Sequence, residues 1–328
     1  MAMNWSMGAQ PGVDYRQSSG MANATLPTTN LTSMPLDKTA SIVNMTCFII
    51  LVLSHCIFLY FVVVILRVFF TTAYIRETAR YVFFIHMILN DTVYLIMAFA
   101  LYVATMYYVY IPVTICYIML TISTSTFRVT PYNLGLMSLE RYVAVCFPLR
   151  HPQLCSPKTS TITLGLIWVA ALVFNLADIV VLGSRVGKNF FSLSVVCSRV
   201  SMMRTQEQGM ITLCSLTISF STVGLIIIYT YIRVALVARK IGSGKSSAFK
   251  AGKTIMLHAF QLMLCMMSFT SSVTETYLKD YQAFMNIINY LLFMCLPRLL
   301  SPLIYGLRDK TFRKYMTTFQ TAVLKEGL

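Results

Sequence analysis

Seven stretches of this chain, near residues 42–66, 81–105, 112–140, 160–182, 209–237, 252–275 and 283–306, are apolar almost throughout. At about 1.5 Å of rise per residue, each is long enough to cross a hydrocarbon core of about 30 Å as an α-helix. Lipid offers no partner to a free backbone N–H or C=O, so each stretch has to close its own hydrogen bonds as a helix. Composition agrees: 57% of the 328 residues are hydrophobic and 11% are charged, with a mean hydropathy of +0.70, values that do not describe a water-soluble globular chain. The expectation is an all-α membrane protein, a bundle of seven transmembrane helices whose apolar environment is the membrane itself.

Orientation follows from the basic residues. Arg76 and Arg80, then Arg150 and Lys158, then Arg239, Lys240, Lys245, Lys250 and Lys253, and finally Arg308, Lys310, Arg313 and Lys314, all fall in alternate loops on one side of the spans. The positive-inside rule makes that side cytoplasmic, with the N-terminus outside and the C-terminus inside a multi-pass plasma-membrane protein. The net charge of +15 then serves anionic lipid and a partner protein, and a nucleic-acid partner is not needed. Three regions result: an extracellular disordered tail over residues 1–41, the membrane domain over 42–306, and a cytoplasmic segment over 307–328. Thr311 to Gln320 in that last segment reads as a basic amphipathic helix on the inner membrane face. The tail has no signal-peptide core, so the first span is expected to direct insertion. Asn4, Asn23 and Asn30 head glycosylation sequons in the tail.

Ionisable residues inside a membrane are costly and mark function or a buried pair. Asp91 lies within the second span and can be a paired bundle carboxylate, a functional hub, or both. Arg128 lies near the middle of the third, where Pro131 is expected to kink or unwind the helix; it can bind an anionic ligand or pair with Asp178 in the fourth. A buried cation there favours an anionic or amphoteric ligand. Arg298 lies in the seventh span, and pairing with Asp91 would spare both charges their desolvation cost. Helical spacing puts Thr124 and Arg128 on nearby faces. A ligand site among the third, fifth and sixth spans is therefore expected, bordered by Ser123, Thr124, Phe127, Arg128, Ser219, Phe269 and Glu275. No cysteine or histidine group has metal-ligand spacing, and neither a metal nor a cofactor is expected.

Three strings carry a family resemblance. Leu139-Glu140-Arg141-Tyr142-Val143-Ala144-Val145-Cys146, running on to Pro148-Leu149-Arg150-His151, ends the third span. Lys250-Ala251-Gly252-Lys253-Thr254-Ile255-Met256-Leu257-His258 opens the sixth. Ser301-Pro302-Leu303-Ile304-Tyr305-Gly306-Leu307-Arg308-Asp309-Lys310 closes the seventh. Over about residues 42–320 the chain resembles the odorant receptors, a branch of the rhodopsin-like G-protein-coupled receptors, with substitutions closer to a fish type than a mammalian one. The resemblance implies a receptor that binds a small-molecule odorant from outside and activates a heterotrimeric G protein inside, of the stimulatory type that raises cAMP. It implies no covalent chemistry, and a receptor-transport chaperone as a further partner.

By the same resemblance Glu140 is the latch on the activation switch Arg141. Tyr142, Tyr231, His258, Pro302 and Tyr305 belong to the coupling machinery, and Asp91, Arg298 and Ser301 to a buried polar hub. It also implies a disulfide between Cys116 and Cys197. The chain departs from the family at the first span, which lacks its usual asparagine and has Val62 or a neighbour there, and at Ser301, which replaces the asparagine before Pro302. Ser123 stands where amine receptors carry aspartate, which disfavours an amine ligand. The alternatives are a non-odorant chemosensory or orphan receptor of the same class, and a polytopic transporter; internal repeats, a usual mark of transporters, are not found.

Overall fold

In a computed structural model of the protein, residues 34–203, 205–240, 252–264, 266, 290–300 and 314 are described. Phe269, Glu275, Ser301, Pro302, Tyr305, the sequons at Asn4, Asn23 and Asn30, and the amphipathic helix read at 311–320 apart from residue 314 lie outside them.

Five of the described helices are long and apolar enough to cross a membrane: α1 (Met34–Thr71), α2 (Ala79–Met106), α3 (Val113–Cys146), α4 (Pro157–Arg185) and α5 (Gln206–Lys240). Parts of two more follow, α6 over 252–264 and α7 over Tyr290–Leu300. Each contains or overlaps one of the apolar runs, and the ends overrun the runs by a few residues because helices continue into flanking polar sequence. The first begins at Met34, ahead of the stretch drawn from hydropathy. Within the leading unit Met1–Val43, this helical start is what the structure describes.

Local chemistry sets the boundaries. Pro157 occupies the first turn of α4, where its missing N–H costs nothing, and Ser156 caps that turn by accepting from the Thr159 N–H at 3.2 Å. α3 starts directly after Pro112, and past Cys146 the chain leaves helical geometry at Phe147. Pro131 does not unwind α3, which is helical throughout. Polar donors support the turn beside it: the Thr130 hydroxyl and the Asn90 amide both donate to the Thr126 carbonyl, at 3.2 and 2.9 Å. Hydroxyls and neighbouring helices commonly support the backbone around a proline in this way.

α3 is the central element, packed against α2, α4 and α5. The main core joins Phe58, Met87, Ile88, Leu134, Val223 and Ile255 from five helices, while Ile162, Val180 and Leu225 point outward and are more than half exposed. Lipid is as apolar as leucine, so burial of such side chains gives little drive for helices to associate. Close packing and interhelical hydrogen bonds hold them instead, each bond contributing about 0.6 to 2 kcal/mol. Asn133 donates to the Phe83 carbonyl at 3.1 Å, joining α3 to α2, and Trp168 donates to His86 Nε2 at 2.9 Å, joining α4 to α2.

One end of the bundle is closed by an antiparallel pair, β1 (Tyr110–Pro112) and β2 (Ser194–Val196), in register Tyr110 with Val196 and Pro112 with Ser194. The disulfide between Cys116 and Cys197 locks this pair onto the start of α3, and Thr105 donates to the Cys197 carbonyl at 3.2 Å. The implied disulfide is therefore present. Cys116→Ser and Cys197→Ser should each destabilise the folded receptor, on the order of 2–5 kcal/mol. The double variant should be no worse than either single, because both remove one bond; thermal melting of the three purified proteins checks this.

Candidate functional site

Three polar sites are strung along α3. Nearest the disulfide, a cavity with an empty volume of about 470 Å³, part of it open to solvent, lies between α3, α4, α5 and the segment after β2. Thr124 and Arg128 of α3, Asn175 and Asp178 of α4, Arg199, and Gln208 of α5 contribute its polar wall; Leu120, Met202 and Met203 contribute apolar wall. Arg128, only 3% exposed, donates from Nη1 to Asn175 Oδ1 at 2.8 Å and sits 5.6 Å above the Phe174 ring. Asn175 is held in turn by Thr124 and Ser125, at 3.2 and 2.6 Å. Asp178 accepts instead from the Tyr117 hydroxyl at 3.1 Å. Of the two alternatives for Arg128, an ion pair with Asp178 is thus not formed. Asn175, one turn from Asp178 on the same helix, is the nearer acceptor. Arg199 donates to Thr212 at 2.7 Å. Contact with protein lowers its guanidinium from the ordinary value, although the side chain still meets solvent, and the Asp178 carboxylate opposes the shift.

The second site lies further along α3. Asp91 and Arg298 are both fully buried, with Arg298 Nε 3.8 Å from Asp91 Oδ1, which is ion-pair range and too long for a hydrogen bond. Thr130 donates to the same carboxylate oxygen at 3.2 Å. The guanidinium lies 3.7 Å from the centre of the Tyr94 ring and 5.5 Å from that of Phe127, and Nη1 donates to the Met294 carbonyl at 2.8 Å. Arginine suits such a place because its flat, weakly hydrated cation stacks on aromatic faces. A π-helical turn, Tyr290–Cys295, precedes it in α7; turns of this kind are frequent at functional sites.

The third site is at the far end of α3. Glu140, 6% exposed, is approached from two sides, by Arg141 Nε at 3.7 Å and by His151 Nε2 at 3.1 Å. His151 begins the short helix His151–Leu154. Tyr142 packs edge-on against Tyr229 of α5 and against Phe147. His258 of α6 is fully buried and shares a hydrogen bond of 3.0 Å with Ser138 of α3. Tyr231 faces outward, 40% exposed, close to Gly252 of α6, and it is Tyr229 that meets Tyr142.

The expected ligand residues divide. Thr124, Arg128 and Asp178 line the cavity, whereas Ser123, Phe127 and Ser219 are absent from its described wall. Phe127 packs between Tyr94 and Phe220, and Ser219 bonds to the Tyr132 hydroxyl at 2.6 Å. This cavity lies on the α4 side of α3; Phe269 and Glu275, the sixth-span residues of the expected ligand site, are outside the described residues. Asn175, Arg199, Thr130, Tyr94, Ser138 and His151 were not singled out from sequence. His151 stood inside the quoted α3 string, and Asn175 is a polar residue deep in an apolar span.

Five spanning helices and parts of two more, packed about α3 and tied to the segment after β2 by the Cys116–Cys197 disulfide, fit a seven-helix membrane bundle. The profile of the 7 transmembrane receptor (rhodopsin family) matches residues 70–305, and the chain belongs to that family. Among curated proteins it is 35% identical to Odorant receptor 131-2 of Danio rerio over 211 residues, 63% of this chain and 65% of the relative. It is 27% identical to Olfactory receptor 52R1 of Homo sapiens over 189 residues, 53% of the chain and 57% of the relative. It is 26% identical to Olfactory receptor 2AT4 of Homo sapiens over 197 residues, 57% and 59% respectively. The chain thus covers somewhat less than two thirds of these relatives, and the odorant-receptor resemblance of the sequence is borne out.

Asp91→Asn and Arg298→Leu should each leave one buried charge without its partner, at a cost of about 3–5 kcal/mol. Each is expected to lower the folded yield or the melting temperature. The exchange Asp91→Arg with Arg298→Asp should recover part of the loss, as read by melting of the purified variants; an exchange no better than the singles would show the two charges to be independent.

Proposed function

We propose that this protein is an odorant receptor that converts binding of a small molecule in the α3–α4–α5 cavity into nucleotide exchange on a heterotrimeric G protein at the Glu140–Arg141 end. The observation that supports this reading best is that one rigid helix carries both sites, Arg128 in the cavity wall and Arg141 at the far end. About 20 Å of helix separates them, and the Asp91–Arg298 pair meets α3 at Thr130 in between. A shift of α3 driven from the cavity is thereby passed to the latch, provided the ligand binds the two arrangements with different affinity.

In the resting arrangement Glu140 holds Arg141 and is itself steadied by His151. Activation frees Arg141 to meet the G protein, with Tyr142, Tyr229, Tyr231 and His258 around it and Pro302 and Tyr305 completing the switch. The basic loops assign this end to the cytoplasm and the disulfide end to the outside, in a multi-pass plasma-membrane protein. A glycosylated tail over 1–41, a receptor domain over 42–306 and a lipid-contacting segment over 307–328 complete the organisation. The G protein is of the stimulatory type, and a receptor-transport chaperone assists delivery to the surface.

Arg141→Ala should abolish agonist-evoked cAMP in reporter cells while surface expression stays at the level of the unmodified receptor. Undiminished cAMP at equal expression would remove Arg141 from the coupling role. Glu140→Gln, which weakens the contacts with both Arg141 and His151, should raise cAMP in the absence of agonist.

A further inference from the structure

The cavity beside Arg128 also carries information about what enters it. Arg128 is a permanent cation, 3% exposed, with five N–H donors, and its guanidinium makes a single hydrogen bond among the described residues, to Asn175. That partner is a neutral amide, so it satisfies one donor without balancing the charge. A buried cation left without a counter-charge costs several kcal/mol, and a protein keeps such a group where an anion arrives to complete it.

The other charges on the cavity wall sharpen this. Arg199 adds a second guanidinium, and the one carboxylate, Asp178, already accepts from Tyr117. The described lining therefore carries two positive charges against one negative. One added anionic group neutralises it. A zwitterion leaves the surplus in place, and an amine increases it. The remaining wall is mixed: Thr124 and Thr212 offer hydroxyls, while Leu120, Met202 and Met203 form an apolar side suited to a hydrocarbon chain.

We propose that the ligand of this cavity is a small monocarboxylate, its carboxylate held by Arg128 with Arg199 as the second cation, and its aliphatic chain lying along Leu120, Met202 and Met203. The inference rests on the reading of this cavity as the receptor's ligand site, and names the chemical class that the site takes. A planar guanidinium donates parallel bonds to both oxygens of a carboxylate, a geometry that an alcohol cannot satisfy. Arg128 is the anchor because it is buried, where a charge-assisted bond is least weakened by water; Arg199, nearer solvent, contributes less.

The test uses the full-length receptor, purified in lipid nanodiscs. Its melting temperature is followed with butanoate, hexanoate or octanoate, with the alcohols and the amines of matching length, and G-protein nucleotide exchange is measured on the same samples. The carboxylates should raise the melting temperature in a saturable way and the alcohols and amines should not. Arg128→Gln should weaken carboxylate binding by about ten- to a hundredfold, with Arg128→Lys between it and the unmodified receptor, and Arg199→Gln should weaken it less. Where Arg128→Gln fails to fold, the graded loss in Arg128→Lys and Arg199→Gln decides. Equal shifts from alcohols or amines, no shift from any carboxylate, or carboxylate binding untouched by every one of these substitutions would overturn the proposal. An Arg128-dependent melting shift without nucleotide exchange would uphold the ligand class and count instead against the signalling role.

Discussion

The contact between Asp91 and Arg298 is the one that the middle of the bundle is arranged to permit. Two ionised groups with no exposed surface at all are stable in an apolar interior only together, and only with their remaining hydrogen-bonding capacity used. The structure supplies the first condition and part of the second. Thr130 donates to the carboxylate, Tyr94 presents its ring face to the guanidinium, and the Met294 carbonyl takes one of the guanidinium donors. These groups come from α2, α3 and α7, so the pair also fixes which faces of three helices meet. In lipid, where apolar side chains are nearly as well placed outside the bundle as inside it, specificity of that kind has to come from polar contacts and close packing.

The same economy appears along the rest of α3. Asn133 to the Phe83 carbonyl, Asn90 to Thr126 and Thr130, Asn175 to Ser125 and Arg128, and Ser138 to His258 are all interhelical and buried. Each names a unique neighbour, which a leucine would not. Hydroxyl groups on α3 mostly bond back to carbonyls in their own helix, as Ser125, Thr126 and Ser138 do. Those bonds remove polar cost without choosing a partner, and the amides and charges do the choosing. These contacts recur along α3 from the cavity to the turn before Glu140.

Most of the architecture was legible in the sequence. Spans of apolar residues place the five long helices to within eight residues at every end, because length and hydropathy are one-dimensional properties that the membrane reads directly. Short strings around Arg141, His258 and Pro302 identified the receptor family, and the family implied the bond between Cys116 and Cys197. That Asp91 and Arg298 should seek each other followed from the cost of burying either alone.

Tertiary structure decided which partner each remaining polar group takes. Arg128 could have met Asp178 by charge, yet Asn175 stands closer on the same face of α4, and Asp178 is taken by Tyr117. Tyr229, not its neighbour Tyr231, meets Tyr142. His151 reaches Glu140 only because the short helix after α3 folds back beneath it. The cavity opens toward α4 and the segment after the disulfide. For the partners on the spanning helices the reason is the same. A helix apolar on nearly every face carries no stripe from which its rotation about its own axis can be read, and a rotation of one residue, about 100°, exchanges one buried partner for another. The sequence by itself determined which segments enter the membrane and which charges they carry there; the packing of the helices determined what those charges face.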